Sequence, residues 1–149
     1  MAKYSFRLAS LLRLRESTRD ECRQALAEVL GHDDRLVRKI EAVQARRAAQ
    51  RADGQAARQP GLLNVERLRD AHRYECSLQS EEADLLEQRV QLAGEIDLRR
   101  AALVSADAEV RALEKLREAG MARHQQDHER GEIQQLDEVA LRQAVEKLS

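Results

Sequence analysis

His124 and His128 stand four residues apart, with Asp127 and Glu129 beside them. On a helix that spacing puts both imidazoles on one face, where they could grip one edge of a metal ion. A solvated polar face is the competing reading, and we adopt it, because neither a third ligand nor an H-E-x-x-H motif accompanies the pair. Glu81-Glu82 and Asp33-Asp34 supply the residue type for general acid–base work, but they lack the apolar pocket that raises a carboxyl pKa for such a role. Cys22 and Cys76 are the only cysteines, too few for a thiolate metal site or a disulfide framework. Glycine-rich phosphate loops and a nucleophile elbow are absent. The sequence therefore predicts no catalytic residues, no metal, no cofactor and no small-molecule substrate.

The elements that carry these residues are helices. Charged residues make up 36% of the 149 residues and aromatics only 2%, against about 25% charged in ordinary domains. Tyr4, Phe6 and Tyr74 are the three aromatics, so a core built on large rings is excluded. The apolar set is Leu, Ala and Val among Glu, Arg and Gln, the composition of a coiled coil. Lysine and arginine number 26 and acids 27, a net charge of −1, which argues against a phosphate-backbone partner and so against nucleic acid. No run approaches the ~20 apolar residues that span a bilayer.

Pro60, the single proline, sits in Gln59-Pro60-Gly61, a turn signal. Strong helix formers flank it on both sides. We expect an all-α antiparallel coiled-coil hairpin forming one domain over 1–149, with a helix at about 5–57, a turn at about 58–62 and a longer helix at about 63–146. In the first helix Leu8, Leu12, Cys22, Leu26, Val29, Leu36, Ile40 and Val43 fit one 3-4 repeat, interrupted by Arg15, Arg19, Asp33 and Arg47. In the second, Leu68, Ala71, Leu78, Leu85, Leu92, Ile96, Leu103, Ala106, Val110 and Leu113 fit another, interrupted by Glu75, Glu82, Arg89 and Arg99. Such narrow stripes bury against each other. Around a turn at 60–61, residue i faces a residue near 121 − i. That register sets Ile40 near Glu82–Leu85, Leu8 near Leu113, Asp33 level with Arg89, Arg47 level with Glu75, and Cys22 far from Cys76.

Residues from 121 onward then overhang the first helix. They carry a stripe of their own, Ile133, Leu136, Ala140, Ala144 and Leu148. An unpaired amphipathic helix of that length is marginal in water, so it frays or a partner covers it. Tyr74 lies one turn from Leu78 but off the seam. It is either an exposed anchor for a partner protein or packing on the flank of the first helix.

Several features together resemble the flagellar export protein family FliJ. Phe6-Arg7-Leu8 leads into Leu11-Leu12, the turn is near the middle, and the second helix is the longer. Leu113-Glu114-Lys115-Leu116-Arg117-Glu118 is followed by Leu136-Asp137-Glu138-Val139-Ala140. The resemblance covers nearly the whole chain. It implies a non-enzymatic part of the bacterial flagellar type III export apparatus, similar to the stalk of rotary ATPases and inserted in the hexameric export ATPase. The implied partners are that ATPase and its regulator, the transmembrane export gate protein and export chaperones. The implied location is cytoplasmic, at the inner face of the inner membrane. The resemblance assigns gate binding to Tyr74 and Leu78, with tyrosine where the family usually has phenylalanine. It turns the helix ends, with Phe6, Leu8, Leu11, Leu113, Leu116, Leu136, Asp137 and Glu138, toward the ATPase.

Three rival readings stand beside it. One is the similar stalk protein of a virulence secretion system, and another is a generic coiled-coil scaffold that dimerises. The third rests on residues 1–15, which are basic, amphipathic and free of acids. Such a segment suits a lipid surface or an organellar targeting peptide, although its helical pattern continues past residue 16 unbroken.

Overall fold

A computed structural model describes residues 3–57 and 64–149. It contains two helices, α1 (Ala9–Ala57) and α2 (Val65–Leu148), of 49 and 84 residues, packed against each other as an all-α hairpin. The described residues include no strand. The turn expected at 58–62 lies outside them. Asn64 opens α2 as its N-cap, its Oδ1 accepting the Glu66 N–H at 3.1 Å. That contact satisfies one of the donors a helix start leaves unpaired. Glu66 adds negative charge in the first turn and Lys147 positive charge in the last, both favourable to the helix dipole.

The first helix begins later than expected, at Ala9 instead of near Ser5. Over residues 3–8 the chain alternates instead: Tyr4, Phe6 and Leu8 are half-buried while Lys3, Ser5 and Arg7 are exposed. A period of two belongs to extended backbone, which turns every second side chain to the same side. The alternation lets both aromatics face the protein, where a helix would spread them around its circumference. The chain enters α1 through a turn in which the Ala9 N–H donates to the Phe6 carbonyl at 3.2 Å.

Contacts divide the chain into two compact units. In the unit Glu21–Leu103, Val29, Leu36, Ile40 and Val43 of α1 pack on Leu78, Leu85, Leu92 and Ile96 of α2, with Leu26 and Leu30 against them. In the unit formed by Met1–Asp20 and Val104–Ser149, Leu12, Val110 and Leu113 form the core, and Phe6 and Leu8 cover it. Every residue buried among those described is apolar and belongs to the two predicted stripes. Each such leucine or valine contributes about 1.5–3 kcal/mol relative to an exposed position. Leu68 is the clearest departure from the stripe, at 39% exposed. The 121 − i rule sets it level with Asp53, which is itself exposed.

Ion pairs show the register directly. In the Glu21–Leu103 unit, Arg89 Nε donates to Asp33 Oδ1 at 3.0 Å, and Arg47 donates twice to Glu75 Oε1 at 3.1 and 2.9 Å. Both are pairs the 121 − i rule set level. Arg99 is displaced slightly from its expected level, its Nη1 donating to the Ala25 carbonyl at 2.8 Å. In the other unit, Arg15 pairs with Glu109 at 3.1 Å. Cys22 is half-buried, Cys76 is exposed, and both are free thiols.

Candidate functional site

Arg47 is the most connected side chain of the Glu21–Leu103 unit. Besides Glu75 it donates from Nη1 to Glu82 Oε2 at 2.6 Å, while Gln44 Nε2 donates to Glu82 Oε1 at 3.1 Å. The Arg47 hydrogen bond, aided by Gln44, holds the Glu82 carboxyl below its usual range. The contacts with Glu82 and then Glu75 push the Arg47 guanidinium up. Arg47 keeps its charge at neutral pH and ties Glu75 and Glu82 of α2 to α1 through ion pairs. The cluster fixes register, as polar groups at seam positions do.

The other titratable groups named from the sequence have similarly local roles. Glu81 pairs with Arg46 at 3.2 Å and Asp33 with Arg89 at 3.0 Å. His124 lies against the Tyr4 ring, centroids 5.6 Å apart and tilted by 45°. His128 Nδ1 approaches Glu132 Oε1 at 3.5 Å. Among the described residues no three His, Cys, Asp or Glu side chains cluster as metal ligands.

Tyr74 and Leu78 separate in the structure. Tyr74 is 42% exposed, whereas Leu78 is 1% exposed and among the most deeply buried side chains. The two therefore do not form a joint outer surface, and only the tyrosine can be touched from outside. The residues assigned to the helix ends divide in the same way. Leu113 is in the core with Phe6 and Leu8 packed on it, while Leu11, Leu116 and Leu136 are exposed. Asp137 and Glu138 are exposed as well.

The overhang begins later than residue 121. Tyr4 reaches α2 at Gly120 and His124, so the extended N-terminal segment covers a turn that α1 alone would leave open. From Glu132 to Ser149 every residue is exposed. This stretch holds Ile133, Leu136, Val139, Leu141, Val145 and Leu148, six large aliphatic side chains. Val139, Leu141 and Val145 lie outside the predicted stripe, so the apolar surface is wider than expected. Aliphatic surface of this extent is uncommon on a protein that works alone.

A second apolar surface went unread in the sequence. In the Glu21–Leu103 unit a groove of about 440 Å³ is lined by Leu30, Leu86, Val90, Ala93 and Ile96, together with Asp33, Arg89, Asp97 and Arg100. Leu86, Val90, Ala93, Asp97 and Arg100 follow one another at helical 3-4 spacing beside the seam. That recurrence is the signal a search for one narrow stripe passes over. No described helix is long and apolar enough to cross a membrane.

No curated protein and no solved structure matches the chain. The family model described as flagellar FliJ protein matches residues 4–149, which is nearly the entire chain and includes both helices and the exposed C-terminal stretch. A hairpin of two helices with exposed aliphatic surface and a whole-length family match lead to one assignment: the chain belongs to the FliJ family, components of the flagellar export apparatus.

Proposed function

We propose that this protein is a non-enzymatic stalk of the flagellar type III export apparatus, inserted in the hexameric export ATPase, promoting its assembly and coupling it to the export gate and chaperones. The observation that carries this reading is the stretch Glu132–Ser149, helical to Leu148, rich in aliphatic residues and exposed throughout. Helix propensity alone holds such a segment weakly, whereas burial of its aliphatic side chains in a partner stabilises it strongly. Leu136, Asp137 and Glu138 lie in this stretch and are its proposed ATPase contacts, with Leu11 and Leu116 as exposed additions. Phe6, Leu8 and Leu113 support that end from within. Tyr74 is the proposed gate contact, and Leu78 positions it from the core. The protein works at the cytoplasmic face of the inner membrane, where the ATPase and its regulator meet the gate.

The test is to add the purified protein to the flagellar export ATPase of the same organism and record hydrolysis rate and oligomeric size. Both rise, and both gains disappear when residues 121–149 are deleted. An unchanged rate and size with the full chain overturns the proposal. If the chain is then a stable homodimer in light scattering, a generic scaffold takes its place.

A further inference from the structure

Glycine is the poorest helix former after proline, yet Gly120 lies well inside α2. The structure gives a reason for it. A Cβ at position 120 would collide with the Tyr4 hydroxyl and come within 3.0 Å of the ring carbon that bears it. At Gly31, Gly54, Gly94 and Gly131 an added Cβ would meet nothing within 4 Å. Tyr4 also lies against His124, one turn farther along the same helix face. Phe6 and Leu8, which follow Tyr4 at two-residue spacing, pack over the Leu12, Val110 and Leu113 core. Three successive inward side chains thus hold residues 3–8 to the unit, and the outermost rests where a Cβ at position 120 would force its hydroxyl end to move.

We infer that residues 3–8 form a reversible strap: Tyr4, seated on Gly120 against His124, locks Phe6 and Leu8 over the end of the helix seam. Among the described residues, the other side chains and backbone bonds of the strap are local or solvent-facing. Lys3, Ser5 and Arg7 point to solvent, and its backbone bonds at the α1 entry are the local ones from Ala9 to Phe6 and from Leu12 to Leu8. A segment with few buried contacts and few hydrogen bonds opens at a small fraction of the global unfolding free energy. Opening uncovers Leu12, Val110 and Leu113 beside the already exposed Leu11 and Leu116. The released strap therefore reveals an apolar patch, and the closed strap keeps that patch from water and from indiscriminate association. This inference concerns the isolated chain and stands whether or not the export ATPase binds the C-terminal stretch.

The experiment is hydrogen exchange together with a Tyr4–His124 ring NOE, on the full-length protein and on Gly120→Ala, Tyr4→Ala and the double variant. The native chain shows the NOE. In Gly120→Ala the NOE disappears and the amides of Ala9 and Leu12 exchange at least about tenfold faster, as expected when a local contact no longer closes the segment. Helicity is retained in both single variants. The melting temperatures supply an independent check. In the Tyr4→Ala background, Gly120→Ala raises Tm, because alanine is the better helix former. In the native background the gain is smaller or reversed, because alanine also displaces the tyrosine from its position in the closed strap. Equal Tm gains in the two backgrounds mean that the sites are uncoupled and overturn the inference. An unchanged NOE and unchanged exchange in Gly120→Ala overturn it as well, as does a native chain without the NOE.

Discussion

Leu92 and Leu136 are the same residue type on α2, yet one is 9% exposed and the other 69%. Both lie in amphipathic sequence with charges on either side. Leu92 has Leu36, Val29 and their neighbours in α1 to pack against, whereas the stretch containing Leu136 has no described residue covering it. Helical spacing determines which face is apolar; it does not determine whether anything in the same chain is available to bury that face. The seam is therefore the part whose apolar face this chain buries itself, and Glu132–Ser149 is the part whose apolar side chains no described residue covers.

That contrast can be broken most forcefully at the seam. Leu92→Asp places a charge without a partner among apolar side chains. It costs at least what truncating a core leucine costs, about 2–5 kcal/mol, and is read as a large fall in Tm by circular dichroism. Leu136→Asp, the same change on the exposed stretch, shifts stability by less than about 0.5 kcal/mol but lowers ATPase stimulation. Equal destabilisation by the two substitutions would dissolve the distinction between the regions.

A smaller effect is expected at the Arg47 cluster. Arg47→Ala leaves Glu75 and Glu82 facing each other across the space the guanidinium filled, and lowers Tm at neutral pH. Because Arg47 holds the Glu82 carboxyl below its ordinary value, the stabilisation is fully present above the unfolded carboxylate pKa of about 4.3. It disappears as pH falls through the lower folded value. The Tm gap between native and Arg47→Ala proteins therefore narrows between pH 6 and pH 3, and a gap that stays constant would contradict the assigned cause. The smallest stability effect belongs to Tyr74→Ala. It leaves folding within about 0.5 kcal/mol while weakening binding to the export gate protein, and unaltered binding would leave Tyr74 only the alternative role, packing on the flank of α1.

The seam was legible because a two-stranded coiled coil imposes a strict repeat, and every buried side chain among the described residues fell on it. Its register was legible because Asp33, Arg89, Arg47 and Glu75 interrupt the repeat in places that pair opposite charges across the helices. The N-terminal segment was misread as helix, although Lys3-Tyr4-Ser5-Phe6-Arg7-Leu8 alternates polar and apolar residues with the period of an extended chain. Six residues of that pattern were outweighed by the long helical run that follows. Leu78 exposes a different conflict. Its seam position demands burial while the family resemblance makes it a binding residue, and in this structure the seam prevails. The groove beside Leu86, Val90 and Ala93 was missed because those residues widen the apolar arc of α2 beyond what one partner helix needs.

The most direct test of the central claim is hydrogen exchange of residues 121–149 with and without the flagellar export ATPase. We predict rapid exchange over Glu132–Ser149 in the isolated protein and strong protection of the same residues in the complex, while the seam around Val43 and Leu78 is protected in both. Protection of Glu132–Ser149 that is the same with and without the ATPase would contradict the account.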